Sequence, residues 1–219
     1  MSLHKLITSK IKNFQELKTI CDRCLNTERW NGNVLLMVLD AAFTSVGVNY
    51  FQVVVPKIKD FESDFVKTGK VTSLFSFANF DFSKALYIWK NSRSWNVAKQ
   101  IAANLSKISN NDRESLRLWA RESSIENWKS DSIGKIKGVG LITYQYLRMM
   151  GGVDTVMPDK IVKRVINEIL VKTGKPPVSD NMEFIKTVEE IAKQTGYRSI
   201  ELCFMSWFIN QPERINEMP

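Results

Sequence analysis

The stretch Ile133-Gly-Lys-Ile-Lys-Gly138-Val-Gly140-Leu-Ile-Thr143 decides the fold. Gly138 and Gly140 stand one residue apart between helical patterns, and glycine adopts the positive φ angles that other residues avoid. The stretch therefore predicts a tight hairpin between two helices. The second helix would begin with free N–H groups, and these groups and the helix dipole together form a binding site for an anion.

Basic side chains surround this predicted hairpin. Lys135 and Lys137 lie within it, and residues 135–175 hold eight Lys or Arg against three Asp or Glu, a local balance of 8 − 3 = +5. The whole chain of 219 residues carries a formal charge of +8, so most of the excess lies here. An anion site in a basic region is typical of proteins that grip nucleic-acid phosphates without reading sequence. A glycine-containing turn with a solvated charged face is the simpler alternative.

Hydrophobic residues recur at helical spacing along most of the chain, which predicts an all-α fold. The apolar face of an N-terminal helix is formed by Ile7, Ile11, Phe14, Leu17 and Ile20. Residues 33–57 are richly apolar, and we predict helix even for the β-branched run at 51–55, because the chain offers it no partner strand. Further helices are predicted over residues 82–89, 96–108, 111–119, 160–173, 181–195 and 199–208.

Two residue counts exclude several kinds of chemistry. The single histidine, His4, lies near the N-terminus, which argues against a Ser-His-Asp or Cys-His relay. The cysteines are only Cys21, Cys24 and Cys203, so a structural zinc would need all three and that histidine. Catalysis, if present, must use carboxylates, lysines, hydroxyls or backbone groups.

Asp159 is the candidate for such chemistry. It directly precedes the helix predicted from Lys160, where an aspartate acts as an N-cap. Capping alone explains most such aspartates. The helix N-terminus is also expected to lower the pKa of the carboxyl and keep it ionised. An ionised carboxylate near a phosphate-gripping hairpin would stabilise the oxocarbenium-like sugar that forms when an N-glycosidic bond breaks.

Three separated segments resemble the helix-hairpin-helix DNA glycosylase superfamily, which includes endonuclease III and the 3-methyladenine DNA glycosylases. Residues 136–143 are similar to the family's Leu-Pro-Gly-Val-Gly hairpin, and residues 159–165 to its aspartate-led helix. The separation of the two, 159 − 140 = 19 residues, is close to the family's spacing. Residues 39–49 resemble the helix and turn that face the DNA in endonuclease III. The resemblance implies that Asp159 is catalytic. It also implies that Lys135, Lys137, Gly138, Val139, Gly140, Ile142 and Thr143 form the hairpin that binds DNA phosphate.

The sequence departs from the family at informative positions. Members that also cut the backbone carry a lysine where this chain has Ile142, so a monofunctional enzyme that activates water is expected. With one cysteine in the C-terminal region, the iron–sulfur cluster of endonuclease III is not expected. The segment that begins at Tyr197 resembles the last helix of 3-methyladenine glycosylase II. Asp154 is a competing carboxylate, but it lies only 154 − 140 = 14 residues after the hairpin.

The family resemblance also implies an architecture and a way of engaging DNA. It predicts two helical lobes with a cleft between them, one of residues 30–150 with its hairpin at 133–150, and one of residues 1–29 plus 151–219. A flipped base needs an aromatic pocket and the emptied duplex needs a plug. Pocket candidates are Phe43, Tyr144, Trp207 and Phe208. Wedge candidates are Ala42, and Arg93 and Trp95 in an expected turn at residues 92–95.

The expected partner is double-stranded DNA with a damaged base, bound by a monomer without a metal or cofactor. A monovalent cation at the hairpin stays open. The first 20 residues lack the apolar core of a signal peptide, so an intracellular protein is expected, in the cytoplasm and nucleoid or in a nucleus. Three alternatives remain: a non-catalytic hairpin module, a helical interaction protein, and a bifunctional oxidised-purine glycosylase with a relocated lysine. The lesion stays open among alkylated purines, oxidised guanine, uracil and hypoxanthine.

Overall fold

The computed structural model describes residues 2–11 and 14–219, and helices joined by turns and loops make up these ranges. No strand occurs within these ranges, so the prediction of an all-α fold is confirmed. The α-helices of the described chain are α1 (Leu3–Lys10), α2 (Phe14–Leu25), α3 (Val34–Thr44), α4 (Val55–Phe61), α5 (Leu74–Ala78), α6 (Ser92–Leu105), α7 (Asp112–Glu122), α8 (Leu141–Met150), α9 (Lys160–Lys172), α10 (Asn181–Thr195) and α11 (Ser199–Phe208). None of them has the length and apolar character needed to cross a bilayer.

The N-terminal region differs from its prediction. A single helix was expected from the apolar spacing, but α1 ends at Lys10, where Ile11 has an extended backbone with φ −81° and ψ 108°. Ile7, Leu17 and Ile20 are buried as predicted. The side chain of Phe14 lies outside the described part of the chain. The apolar spacing of the sequence is the same in α1 and α2 because each of these helices buries an apolar face.

Helix α3 lies at the centre of the molecule. The Asn33 side chain caps it by accepting the Leu36 N–H at 3.2 Å. Every residue from Val34 to Phe43 is buried, because α3 packs against α4, α6, α7 and α8. A helix that is apolar all round is one that neighbours surround on all sides. Asp40 is the single charged residue in this buried stretch.

The β-branched run at 51–55 is helical, which confirms that prediction. Residues Tyr50–Val54 form a wide helical turn that leads into α4, and a second wide turn, Glu62–Val66, follows it. Pro56 stands in the first turn of α4, where the fixed φ of proline fits the helix. An exposed turn, Ser45–Asn49, separates this segment from α3, so the apolar region 33–57 is two helices and not one.

The helices near the two ends of the chain pack against one another. Helix α11 contacts α2, α9 and α10, and α1 contacts α9 and α10. Helices α2 and α8 also meet, so this group joins the helices around α3 there. The division into lobes of residues 30–150 and 1–29 plus 151–219 stays a prediction.

Candidate functional site

The hairpin begins with turns rather than with a regular helix. The Asp131 carboxylate accepts the N–H groups of Ile133 at 2.8 Å and of Gly134 at 3.2 Å. One helical turn follows, and the regular helix α8 begins only at Leu141. A Cβ on Gly134 would lie 1.6 Å from the Trp128 carbonyl oxygen, so this third glycine is required by close backbone packing, which the sequence analysis missed.

The two glycines of the predicted turn have different roles. Gly138 has a φ of +106°, and a Cβ there would lie 2.8 Å from Cγ2 of Val97. Gly140 has an extended backbone with φ −103°, and nothing lies within 4 Å of the place where its Cβ would be. The prediction of positive φ therefore holds for Gly138 alone, and Gly140 leaves open space beside the start of α8.

An open cavity lies at this helix start. No side chain caps α8, so the N–H groups of its first turn, Leu141 to Thr143, are left without a capping acceptor in the described part of the chain. The cavity beside them has a volume of about 360 Å³. Its walls include Ser45, Val46, Arg93, Ser94, Gly138, Gly140, Ile142 and Thr143. The structure thus brings the hairpin and an arginine from α6 to one anion-accepting surface.

The side chains of the hairpin divide into exposed and anchoring ones. Lys135 and Lys137 are exposed, as a phosphate contact requires. Val139 is buried and Ile142 is half-buried, so these two anchor the hairpin to the core. Arg93 is exposed, and its Nε lies 3.3 Å from the position of a Cβ on Gly138. It therefore lies over the hairpin.

Asp159 caps α9 as predicted, and it does more than cap. Its Oδ1 accepts the N–H groups of Ile161 and Val162, both at 2.8 Å. Its Oδ2 accepts the indole N–H of Trp207 at 2.5 Å. Each carboxylate oxygen has two lone pairs, so Oδ1 is fully used by its two backbone donors, whereas Oδ2 keeps capacity to accept one further hydrogen bond.

The predicted direction of the Asp159 pKa is wrong. Burial of the carboxyl raises its pKa above the ordinary value, and the hydrogen bonds from Val162, Trp207 and Ile161 offset only part of that effect. The local rule for helix N-termini was overridden because the packing of α11 against α9 leaves Asp159 half-buried, although the Trp207 N–H itself acts to lower the pKa. A carboxylate with a raised pKa is a better proton acceptor at neutral pH.

Three of the four aromatic pocket candidates belong to the core. Phe43 is fully buried and stacks on Trp89, with ring centroids 4.6 Å apart. Tyr144 is fully buried with its ring edge-on to Trp119, and Phe208 is 4% exposed. These predictions are wrong, since the rings face other side chains and not an open surface. Trp207 remains, because it is half-exposed and touches Asp159.

Two of the three wedge candidates are also buried. Ala42 and Trp95 have no exposed surface, so neither can enter a duplex, and those predictions are wrong. The expected turn at 92–95 is the start of α6, because Asn91 caps it by accepting the Ser94 N–H. The exposed turn Ser45–Asn49 follows α3 and lies in the segment 39–49, for which a helix and a turn that face the DNA were expected. It presents Val46 and Val48, which are 43% and 41% exposed, beside the hairpin cavity.

A buried polar cluster that the sequence analysis missed surrounds Asp40. Its Oδ2 accepts hydrogen bonds from Arg29 at 2.9 Å, Trp30 at 2.8 Å, Tyr50 at 2.9 Å and Tyr146 at 3.0 Å. Arg29 is 1% exposed and its Nε and Nη1 have no partner among the described residues. The sequence signal for this cluster was Asp40 itself, which is a charged residue inside the apolar run 34–43.

The rival carboxylate and the cysteines have structural roles. Asp154 accepts the N–H groups of Ser199 and Ile200 at the start of α11, so it caps that helix. Cys21, Cys24 and Cys203 are buried free thiols whose pKa burial raises, in Cys24 to about 12. Within residues 2–11 and 14–219, no three His, Cys, Asp or Glu side chains are grouped to hold a metal ion.

The all-α architecture matches the helical fold of a DNA glycosylase of known structure. The fold is similar to that of the 8-oxoguanine DNA glycosylase of Thermotoga maritima, with a TM-score of 0.57. The similarity covers 96% of this chain and 98% of that one, at 13% sequence identity. At that identity the likeness shows a shared fold. No protein-family model matches the chain, and no curated protein matches it either.

Proposed function

We propose that the protein is a DNA repair glycosylase that hydrolyses the N-glycosidic bond of a damaged base. The observation that carries the proposal is Asp159, a half-buried carboxylate with a raised pKa that caps α9 and contacts Trp207. A cap needs no such burial, as Asp180 shows: it caps α10 through the same two kinds of backbone N–H contact and is exposed.

The chemistry needs one carboxylate and one water. As the bond between C1′ and the base nitrogen breaks, its electron pair leaves with the base and positive charge develops on the sugar. The Asp159 carboxylate stabilises that charge and accepts a proton from the water that bonds to C1′. The products are the free base, which takes up a proton, and an abasic sugar with a hydroxyl at C1′.

The hairpin supplies the grip on the DNA backbone. Uncapped N–H groups at the start of α8 bind a phosphate, with Lys135, Lys137 and Arg93 around it. The partner is double-stranded DNA, and the protein acts as a monomer. In place of the buried wedge candidates, the exposed turn that carries Val46 and Val48 fills the gap left by the flipped nucleotide, because apolar side chains stack between bases.

A monofunctional reaction fits the hairpin. Ile142, at the position where the lyase-active members have lysine, has no amine and is half-buried in the wall of the cavity. The bifunctional alternative would use Lys137 or Lys160, which are both exposed, and Lys160 is adjacent to Asp159 in the chain. Borohydride trapping of a covalent protein–DNA adduct separates the two. No iron–sulfur cluster and no other cofactor take part in the proposal.

The named activity of the structural neighbour makes 8-oxoguanine the first lesion to assay. The test measures base release from duplexes that carry oxidised, alkylated or deaminated bases. Asp159→Asn should abolish release, because an amide cannot accept the proton, while DNA binding stays near wild type. Asparagine caps helices about as well as aspartate, so α9 keeps its first turn.

Asp180→Asn is the matched control, since it makes the same change in another aspartate cap and should release base at the wild-type rate. Retention of wild-type release by Asp159→Asn would contradict the assignment of Asp159. Binding without release of any lesion would favour the non-catalytic hairpin module.

A further inference from the structure

The two oxygens of the Asp159 carboxylate have separate donors. Oδ1 is held by the backbone of α9, through Ile161 and Val162, whereas Oδ2 is held by a side chain from α11. The Trp207 indole N–H is a donor that the helix cap does not need. Contacts from two directions fix the plane of the carboxyl group, whereas the cap alone would fix one oxygen.

The Trp207 ring is itself held between two other rings. The ring centroid of Tyr50 lies 5.7 Å away, and that of Phe204 lies 6.2 Å away in an edge-on arrangement with an interplanar angle of 82°. Phe204 comes from the same helix, α11, whereas Tyr50 comes from the helical segment that precedes α4. The indole therefore lies at a junction between α11 and the segment after α3.

Tyr50 cannot turn freely, because its hydroxyl group is bonded within the buried cluster. The hydroxyl donates to Asp40 Oδ2 at 2.9 Å and accepts from Arg29 Nη2 at 2.6 Å. Asp40 is fully buried on α3, so a contact in the centre of the molecule fixes the ring that contacts Trp207. A continuous chain of contacts thus runs from Arg29 to Asp159.

We propose that Trp207 is a positioning residue, which orients the Asp159 carboxylate through its indole N–H, and that Tyr50 holds Trp207 in place. This inference rests on the proposed function, because it names the group that prepares Asp159 for the reaction. A carboxylate that is fixed before the substrate arrives needs no reorganisation when charge develops on the sugar. Because the buried cluster at Asp40 holds Tyr50, it also helps to fix the Asp159 carboxylate before the substrate arrives.

The titratable neighbours of Asp159 are few. Among the described residues, Cys203 of α11 interacts with it through charge, and burial raises the pKa of that thiol, so it stays neutral. Lys160 follows Asp159 in the chain and is exposed. The Trp207 N–H favours the ionised carboxylate, so its removal should move the titration of Asp159 to higher pH.

The test compares Trp207→Phe with the wild type. Phenylalanine keeps an aromatic ring and removes the N–H donor. The acid limb of base release should move up by about one pH unit, and release at neutral pH should fall about tenfold at saturating DNA, with little change in the dissociation constant. Carboxyl-carbon NMR of Asp159 should show the same displacement without any need for activity. Tyr50→Phe should shift it less, in the same direction.

Trp119→Phe is the matched control, because its indole N–H also donates to an aspartate, Asp131, at 3.1 Å. It should leave the Asp159 titration unchanged. An unshifted Asp159 in Trp207→Phe, or an equal shift in Trp119→Phe, would overturn the positioning role. If the wild type releases no base, the proposed function fails, while the NMR titration still decides whether Trp207 controls Asp159.

Discussion

Replacing each hairpin glycine by alanine should separate the stability of the turn from its binding of phosphate. Gly138→Ala introduces a Cβ at φ +106°, 2.8 Å from Cγ2 of Val97, a side chain that is 4% exposed in the core. Backbone strain of this kind costs about 1–3 kcal/mol, and overpacking a well-filled core costs about 1–3 kcal/mol more. The expected loss in the free energy of unfolding is the sum, about 2–6 kcal/mol.

Gly140→Ala is the matched change two residues away. Its backbone is extended and its new Cβ meets nothing within 4 Å, so the free energy of unfolding should change by less than about 0.5 kcal/mol. The new methyl group would lie in the cavity beside the uncapped start of α8. Binding of undamaged duplex should therefore weaken in Gly140→Ala although the protein stays as stable as the wild type.

Urea denaturation gives the first quantity, and fluorescence anisotropy with a labelled duplex gives the second. A domain of this size loses roughly 2–4 °C of melting temperature per kcal/mol, so Gly138→Ala should melt at least about 4 °C lower. Equal stability losses in the two variants would refute the geometry described for the turn. Wild-type duplex binding by Gly140→Ala would refute the phosphate site at α8.

Two further predictions concern charge. Replacing Lys135 and Lys137 by glutamine should weaken binding to all duplex sequences. The slope of log K against log salt should fall by roughly 0.9 for each DNA phosphate that the variant no longer neutralises. An unchanged slope would place the phosphate-binding residues elsewhere. Asp40→Ala should lower the free energy of unfolding by about 3–5 kcal/mol, because it leaves the buried Arg29 without its counter-charge. Asp60→Ala, which breaks an exposed ion pair with an N–O distance of 3.5 Å, should cost less than about 1 kcal/mol, and a similar cost at both positions would contradict the role of the Asp40 cluster.

The parts of the site that follow from local chemistry could be predicted from the sequence. Gly138 adopts a positive φ in the tight turn, which glycine does readily because it has no Cβ. Asp159 caps α9 because it directly precedes Lys160, the first residue of that helix. Such signals lie within a few neighbouring residues. The order of the hairpin and the aspartate along the chain then indicated an all-α fold, which the structure shows.

The parts that depend on tertiary packing could not be predicted in this way. Phe43 and Tyr144 lie on α3 and α8, which other helices cover on all sides, so their spacing gave no sign of which face would be open. The pKa of Asp159 followed its burial where α9 packs against α11, a helix that begins 40 positions further along the chain. Trp95 was placed in a turn because the Asn91 cap that starts α6 was overlooked.

Direct detection of the released base tests the central claim most simply. The wild-type protein is incubated in excess with a duplex that carries one 8-oxoguanine, and with matched duplexes for the other lesions. Mass spectrometry then measures the free base, and a denaturing gel shows the state of the strand. We expect free base from at least one duplex together with an intact abasic strand. Tight binding to every duplex with no free base from any of them would contradict the claim that this protein is a glycosylase.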